Sequence, residues 1–177
     1  MSSSCLVLAG TCCIISAVTA YASPILTYSE ISLGGGLWQY DYSAVNGLDP
    51  VVKANFNLYD ILFQFPSAPS VLALPDGWDY VQIVNSIESF STVVGPPPDG
   101  TDIPPGQSLS GFSFQLTNQV GSIPFTFSFS NPTNPGQPLV FSGTATPATT
   151  PEPASLMLVI AGTCFLVRSK IWRGATK

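Results

Sequence analysis

The chain has 177 residues, of which 8% are charged and 45% apolar, with ten acids against five bases and no histidine. Only one base precedes the last ten residues, too few to neutralise phosphates, so a nucleic-acid binder is excluded. The missing histidine excludes a Ser-His-Asp triad, a Cys-His pair and an imidazole metal site.

Residues 1–22 are expected to form a secretory signal helix. Cys5–Val18 is an apolar run, and Ala20 and Ala22 place small side chains where a signal peptidase inspects them, so cleavage is expected after Ala22. The start, Met1-Ser2-Ser3-Ser4, carries no Lys or Arg. In Leu8-Ala9-Gly10-Thr11-Cys12 the cysteine lies one residue too late for a lipoprotein signal. Cys5, Cys12, Cys13 and Cys164 all fall in the terminal apolar stretches. The body therefore has no internal disulfide, thiolate metal site or cysteine nucleophile.

From Ser23 to Thr150 the pattern is that of strands. Trp38-Gln39-Tyr40-Asp41-Tyr42, Phe112-Ser113-Phe114-Gln115-Leu116 and Phe125-Thr126-Phe127-Ser128-Phe129 alternate large rings with small polar groups. Ile25–Leu33, Val51–Phe65, Tyr80–Val84, Ser89–Val94 and Leu139–Ala145 are further strand candidates. Turn chemistry separates them, at Gly34-Gly35-Gly36, Asn46-Gly47, Pro75-Asp76-Gly77, Pro96–Gly100, Pro104-Pro105-Gly106 and Asn131–Gly136. About eight strands so spaced predict an all-β fold, an antiparallel β-sandwich of jelly-roll or Ig-like type, over residues 23–144. Residues 145–153 are expected to be a small-residue linker. The body holds nine acids against Lys53, a net of −8.

Two segments share the pattern Pro-Asp-Gly-x-Asp. Asp76 with Asp79, and Asp99 with Asp102, are carboxylates three apart across a glycine turn and could share a hard cation such as calcium. Pro-Asp-Gly is also ordinary turn chemistry, and neither segment has the ligand count of a calcium loop. No cofactor is expected. Trp38, Tyr40, Tyr42, Trp78 and Tyr80 are either the buried face of the sandwich or a stacking platform for sugar rings, with Trp78 and Tyr80 the better placed for sugar contact. The scattered acids identify no glycosidase pair, and no enzyme activity is expected.

The C-terminus has three parts. Thr150-Pro151-Glu152-Pro153 is a rigid lead-in, Ala154–Val167 is uncharged and strongly apolar, and Arg168, Lys170, Arg173 and Lys177 close the chain. Fourteen residues of helix span about 21 Å, short of the ~30 Å hydrocarbon core. Snorkelling of Arg168 and Lys170 extends the helix to Trp172. Residues 154–172 are thus expected to be a transmembrane helix and the start of the basic tail, with 173–177 its cytoplasmic end. Arg168, Lys170 and Arg173 are expected to act as the membrane stop, with the body on the far side.

Taken in this order, Pro151-Glu152-Pro153, Ala154-Ser155-Leu156, the apolar helix and the terminal bases resemble the PEP-CTERM protein-sorting signal of Gram-negative bacteria, over about residues 149–173. The first bases, Arg168-Ser169-Lys170, depart from that signal's tight arginine run. The resemblance implies export by the general secretion machinery, a transient inner-membrane anchor, and recognition of Pro151, Glu152 and Pro153 by an exosortase that removes the tail. The body then reaches the cell surface or an exopolysaccharide matrix, with exopolysaccharide as a further partner. Two other outcomes stay open: a carbohydrate-binding module of the matrix, and a permanently anchored bitopic membrane protein.

Overall fold

The computed structural model describes residues 23–149. Its strands are β1 (Ile25–Gly34), β2 (Leu37–Val45), β3 (Leu58–Gln64), β4 (Ser70–Ala73), β5 (Trp78–Ile83), β6 (Ser86–Ser91), β7 (Ser108–Leu116), β8 (Pro124–Phe129), β9 (Leu139–Thr144) and β10 (Thr146–Pro147). One sheet has the order β10-β1-β2-β7-β4 and the other β5-β6-β3-β8-β9. Neighbours are antiparallel, except that β10 runs parallel to β1.

Alternation decides which side chains face inward. On β2 and β7, Tyr40 lies opposite Phe114 and Tyr42 opposite Phe112. On β3 and β8, Ile61 lies opposite Phe127 and Phe63 opposite Phe125. These rows face each other and pack the two sheets as a sandwich. Rings touch across it, with centroids 5.0 Å apart for Phe63 and Phe114 and 5.4 Å for Tyr42 and Phe63. Each fully buried ring contributes on the order of 2–3 kcal/mol.

Two neighbouring tyrosines of that core differ at their hydroxyls. The Tyr40 oxygen accepts hydrogen bonds from the backbone N–H of Val120 (2.7 Å) and of Gly121 (3.3 Å), fastening the β7–β8 loop. The Tyr42 hydroxyl is buried with no partner among the described residues. Burial, foremost, raises the pKa of both.

Three expectations need correction. Val51–Phe65 is not one strand, since β3 begins only at Leu58. The Asp49 carboxylate accepts from the N–H of Val51 (2.8 Å), turning the chain and leaving Val51 84% and Val52 71% exposed. The short β4 was not anticipated. Nor was β10, which lies in the stretch read as linker: Ala145 is buried and donates its N–H to the Ile123 carbonyl (2.8 Å), and the Ala148 N–H bonds to the Tyr28 carbonyl (2.7 Å). Among the described residues the last backbone bond to the sheet is therefore at residue 148. Among the described residues no helix is long and apolar enough to cross a membrane. The expected signal helix, with Ala20 and Ala22, and the transmembrane helix, with Pro151, Glu152, Pro153, Arg168, Lys170 and Arg173, lie outside the described residues.

The registers give the sandwich two unlike ends. At one end lie the short connections, including the Gly34-Gly35-Gly36 turn between β1 and β2. At the other lie the long loops that follow β2, β6 and β8, together with the 74–77 connection from β4 to β5. Because β10 runs parallel to β1, the chain leaves the sheet heading toward the triple-glycine end, away from the long loops.

Candidate functional site at the loop end

The two Pro-Asp-Gly-x-Asp segments meet at the loop end. The Gly77 carbonyl accepts from the N–H and hydroxyl of Thr92 (2.9 and 2.8 Å) and from the Thr101 hydroxyl (2.9 Å). In return, the Trp78 indole N–H donates to the Thr101 carbonyl (3.0 Å). Thr101 and Ser91 hydroxyls also pair at 2.8 Å. Gly77 is required for this approach, and Gly100 for the tight fold of its own loop. Gly77 has φ +75°, and a Cβ there would collide with the Thr101 side chain; a Cβ on Gly100 would collide with the Gly95 carbonyl.

Asn46 clamps the same end. Buried in the loop after β2, it donates its side-chain amide to the carbonyls of Phe56 and Ile103, both at 2.9 Å, while its own N–H bonds to the Gln107 carbonyl. Sequence reasoning took Asn46-Gly47 as a turn and missed this cross-brace. Its signal was weak, since a buried asparagine and a turn asparagine look alike in one sequence.

Trp78 is not the exposed ring expected beside a turn. It is 7% exposed and packs edge-on against Phe112, with centroids 5.2 Å apart. A ring so covered cannot stack on a sugar. Tyr40 and Tyr42 are also in the core, whereas Tyr80, on the edge strand β5, is 40% exposed.

The four candidate carboxylates separate. Asp76, Asp79 and Asp99 are exposed, with Asp79 accepting from the N–H of Tyr80 (2.8 Å). Asp102 is 3% exposed. The backbone bridge between Leu58 and Ile103 draws it inward. One of its oxygens accepts the Gly95 N–H (3.0 Å), and the other, Oδ1, has no partner among the described residues. No group of three acid side chains is arranged for a metal ion among the described residues.

Asp102 forms part of the wall of two clefts. One, of about 370 Å³, is also lined by Asn55, Tyr59, Val94, Phe129 and prolines of the β8–β9 loop. The other, of about 440 Å³, lies toward Pro97, Pro104 and Pro105. Burial, and then the charges of Asp60 and Asp102, raise the Tyr59 pKa, so its hydroxyl stays neutral at physiological pH.

A second acidic feature lies mid-sheet on the outer face of β3 and β6. Asp60 is within hydrogen-bonding reach of Glu88, and the Ser128 hydroxyl donates to Asp60 at 3.3 Å. Burial first, then the Glu88 charge and hydrogen bond, push the Asp60 carboxyl up to about 6.

No protein-family model matches the chain, and no curated protein matches it. Among solved structures it is similar to a GH20 exo-β-N-acetylglucosaminidase from Vibrio harveyi, at 12% identity and a TM-score of 0.42 over 75% of this chain. The chain spans 19% of the length of that enzyme. It is also similar to the chitin-binding domain of Chi18aC from Streptomyces coelicolor, at 13% identity and a TM-score of 0.39, covering 58% of this chain and 90% of that domain.

Proposed function

We propose that this chain is an exported, non-enzymatic cell-surface or exopolysaccharide-matrix protein, delivered by a C-terminal sorting signal of the PEP-CTERM kind that an exosortase processes. The observation that carries this reading is the order of the tail: Pro151-Glu152-Pro153, an apolar run and terminal bases. The fold is compatible with removal of that tail. Among the described residues the last hydrogen bond to the sheet is made by Ala148, three residues before Pro151, so a cut at the motif leaves every described strand in place. While the tail holds the chain at the inner membrane, the loop end faces away from the point where the chain leaves the sheet.

Substituting Glu152 and Pro153 together in the native host tests the reading. The expected result is retention of the longer chain in the membrane fraction. Unchanged size and location would sink the sorting proposal. A wild-type chain that keeps its tail at steady state would instead support a permanently anchored bitopic protein.

The carbohydrate-binding alternative now rests on different residues. Trp78 is covered, so a sugar would have to use Tyr80 or the cleft beside Tyr59. Quenching of tryptophan fluorescence would report it poorly for the same reason. Retention of the protein on immobilised exopolysaccharide, lost with Tyr80→Ala or with a blocked cleft, is the better measurement.

A further inference from the structure

The loop-end cleft beside Tyr59 carries a chemical asymmetry. Its wall contains a carboxylate, Asp102, that is almost wholly withdrawn from solvent and has one oxygen without a donor. A buried carboxylate oxygen left unpaired costs about 1–3 kcal/mol or more. Native proteins satisfy such atoms with a water, an ion or a ligand. Lys53, the single base among the described residues, does not line the cleft; its amine lies 4.3 Å from the centre of the Phe56 ring. Among the described residues the cleft wall therefore holds a negative charge and no positive one, which favours a cationic ligand.

The rest of the wall decides which kind of cation fits. Calcium takes six to eight oxygens, usually with several carboxylates, and Asp102 is the only acid in this wall. Val94, Pro132 and Pro135 instead offer exposed CH surface. Such a wall suits the carbon skeleton of an organic cation, and an ammonium group needs only a few acceptors. Asn55, whose side chain makes no hydrogen bond among the described residues, and the neutral Tyr59 hydroxyl supply further polar contacts at the mouth.

We infer that this cleft binds a ligand bearing a primary ammonium group, held by the charge of Asp102 just beneath the wall, with its carbon skeleton against the proline and valine surface. The ammonium can belong to an amino sugar or to a simple alkylamine. This site is independent of the sorting signal and stands or falls without it.

Calorimetric titration of the full chain with ethylammonium chloride, glucosamine hydrochloride, N-acetylglucosamine and calcium chloride tests the inference. Glucosamine is expected to bind with a Kd of about 1 mM or tighter. N-acetylglucosamine, which has lost the charge, should bind roughly tenfold more weakly or worse. Tighter binding of glucosamine than of ethylammonium assigns an amino sugar, and equal binding assigns the amine alone. Asp102→Asn keeps the shape and should lose at least about tenfold in amine affinity. Asn55→Lys, at an exposed position, puts a positive charge at the mouth and should abolish amine binding even if Asp102→Asn does not fold. The inference is overturned if neither amine binds, if N-acetylglucosamine binds as well as glucosamine, or if calcium binds in preference. Amine binding unchanged in Asn55→Lys, or in a folded Asp102→Asn, overturns it equally.

Discussion

The two ends of the sandwich use glycine for opposite purposes. At the short-turn end, Gly34 and Gly35 have positive φ but open space around them, so they permit a turn and nothing more. At the loop end, Gly77 and Gly100 are held against Thr101 and the Gly95 carbonyl. At Gly77 the missing Cβ lets two loops interlock, and at Gly100 it lets one of those loops fold tightly on itself. The difference teaches that a Pro-Asp-Gly turn can be a packing element, with its carbonyl and its neighbours made into a latch. It also explains why the loop end can keep a carboxylate buried: Asp102 directly follows the latch residue Thr101.

Gly100→Ala should break this contrast most sharply. The new methyl meets backbone that cannot swing aside, and a loss of about 3 kcal/mol is expected, read as a fall in melting temperature of roughly 10 °C. Gly35→Ala, in open space, should cost only about 1 kcal/mol, from its left-handed φ of +61°. Similar losses at both sites would mean that the fold of the 95–100 turn is not tight.

The paired tyrosines sharpen the comparison at the other end. Tyr40→Phe removes the acceptor that fastens Val120 and Gly121 and should destabilise by about 1–2 kcal/mol. Tyr42→Phe removes a buried hydroxyl with no partner and should leave the protein as stable as before, or more stable by up to about 1 kcal/mol. Denaturant midpoints of the two variants, one lowered and one not, are the check. If both fell equally, the Tyr42 hydroxyl would have a partner in solution.

Mid-sheet, the Asp60–Glu88 pair adds the smallest effect. Asp60 is pushed up to about 6 in the folded protein from an ordinary 3.8. The folded state thus holds a proton that the unfolded chain has released. Stability from this group is full below about pH 4 and is lost as pH rises through 6. Melting should be higher at pH 5 than at pH 7.5, and Asp60→Asn should flatten that slope. A wild-type melting curve that rises across the interval would contradict the assignment.

Much of the fold was legible because period-two alternation is a strong local signal. The rings of β2, β7 and β8 announced their inward face, and the structure buries them, Trp38 only in part. What failed depended on distant partners. Val51 and Val52 looked like strand residues, but a local Asp49 hydrogen bond wins over their propensity. Thr146-Pro147 has no alternation to show, since β10 exists only through its pairing with β1. The site was the least legible part. Four aspartates in two like motifs are equivalent in sequence, and only the long-range bridge of Leu58 to Ile103 singles out Asp102. Trp78 likewise turns inward because a carbonyl 23 residues further along accepts its indole N–H.

The two-residue strand β10 has a mechanical consequence. It lies at the edge of its sheet and is the last strand among the described residues, so a load on the chain beyond Thr149 meets it first. It pairs with β1 at two positions only, Thr27 and Tyr28, and so would open at low force. Tension then passes through Ala145, bonded to the Ile123 carbonyl, into β9 at the edge of the other sheet. The chain thus carries a short sacrificial seam between its pulling point and its core, and slack is released there before any ring-packed strand is loaded.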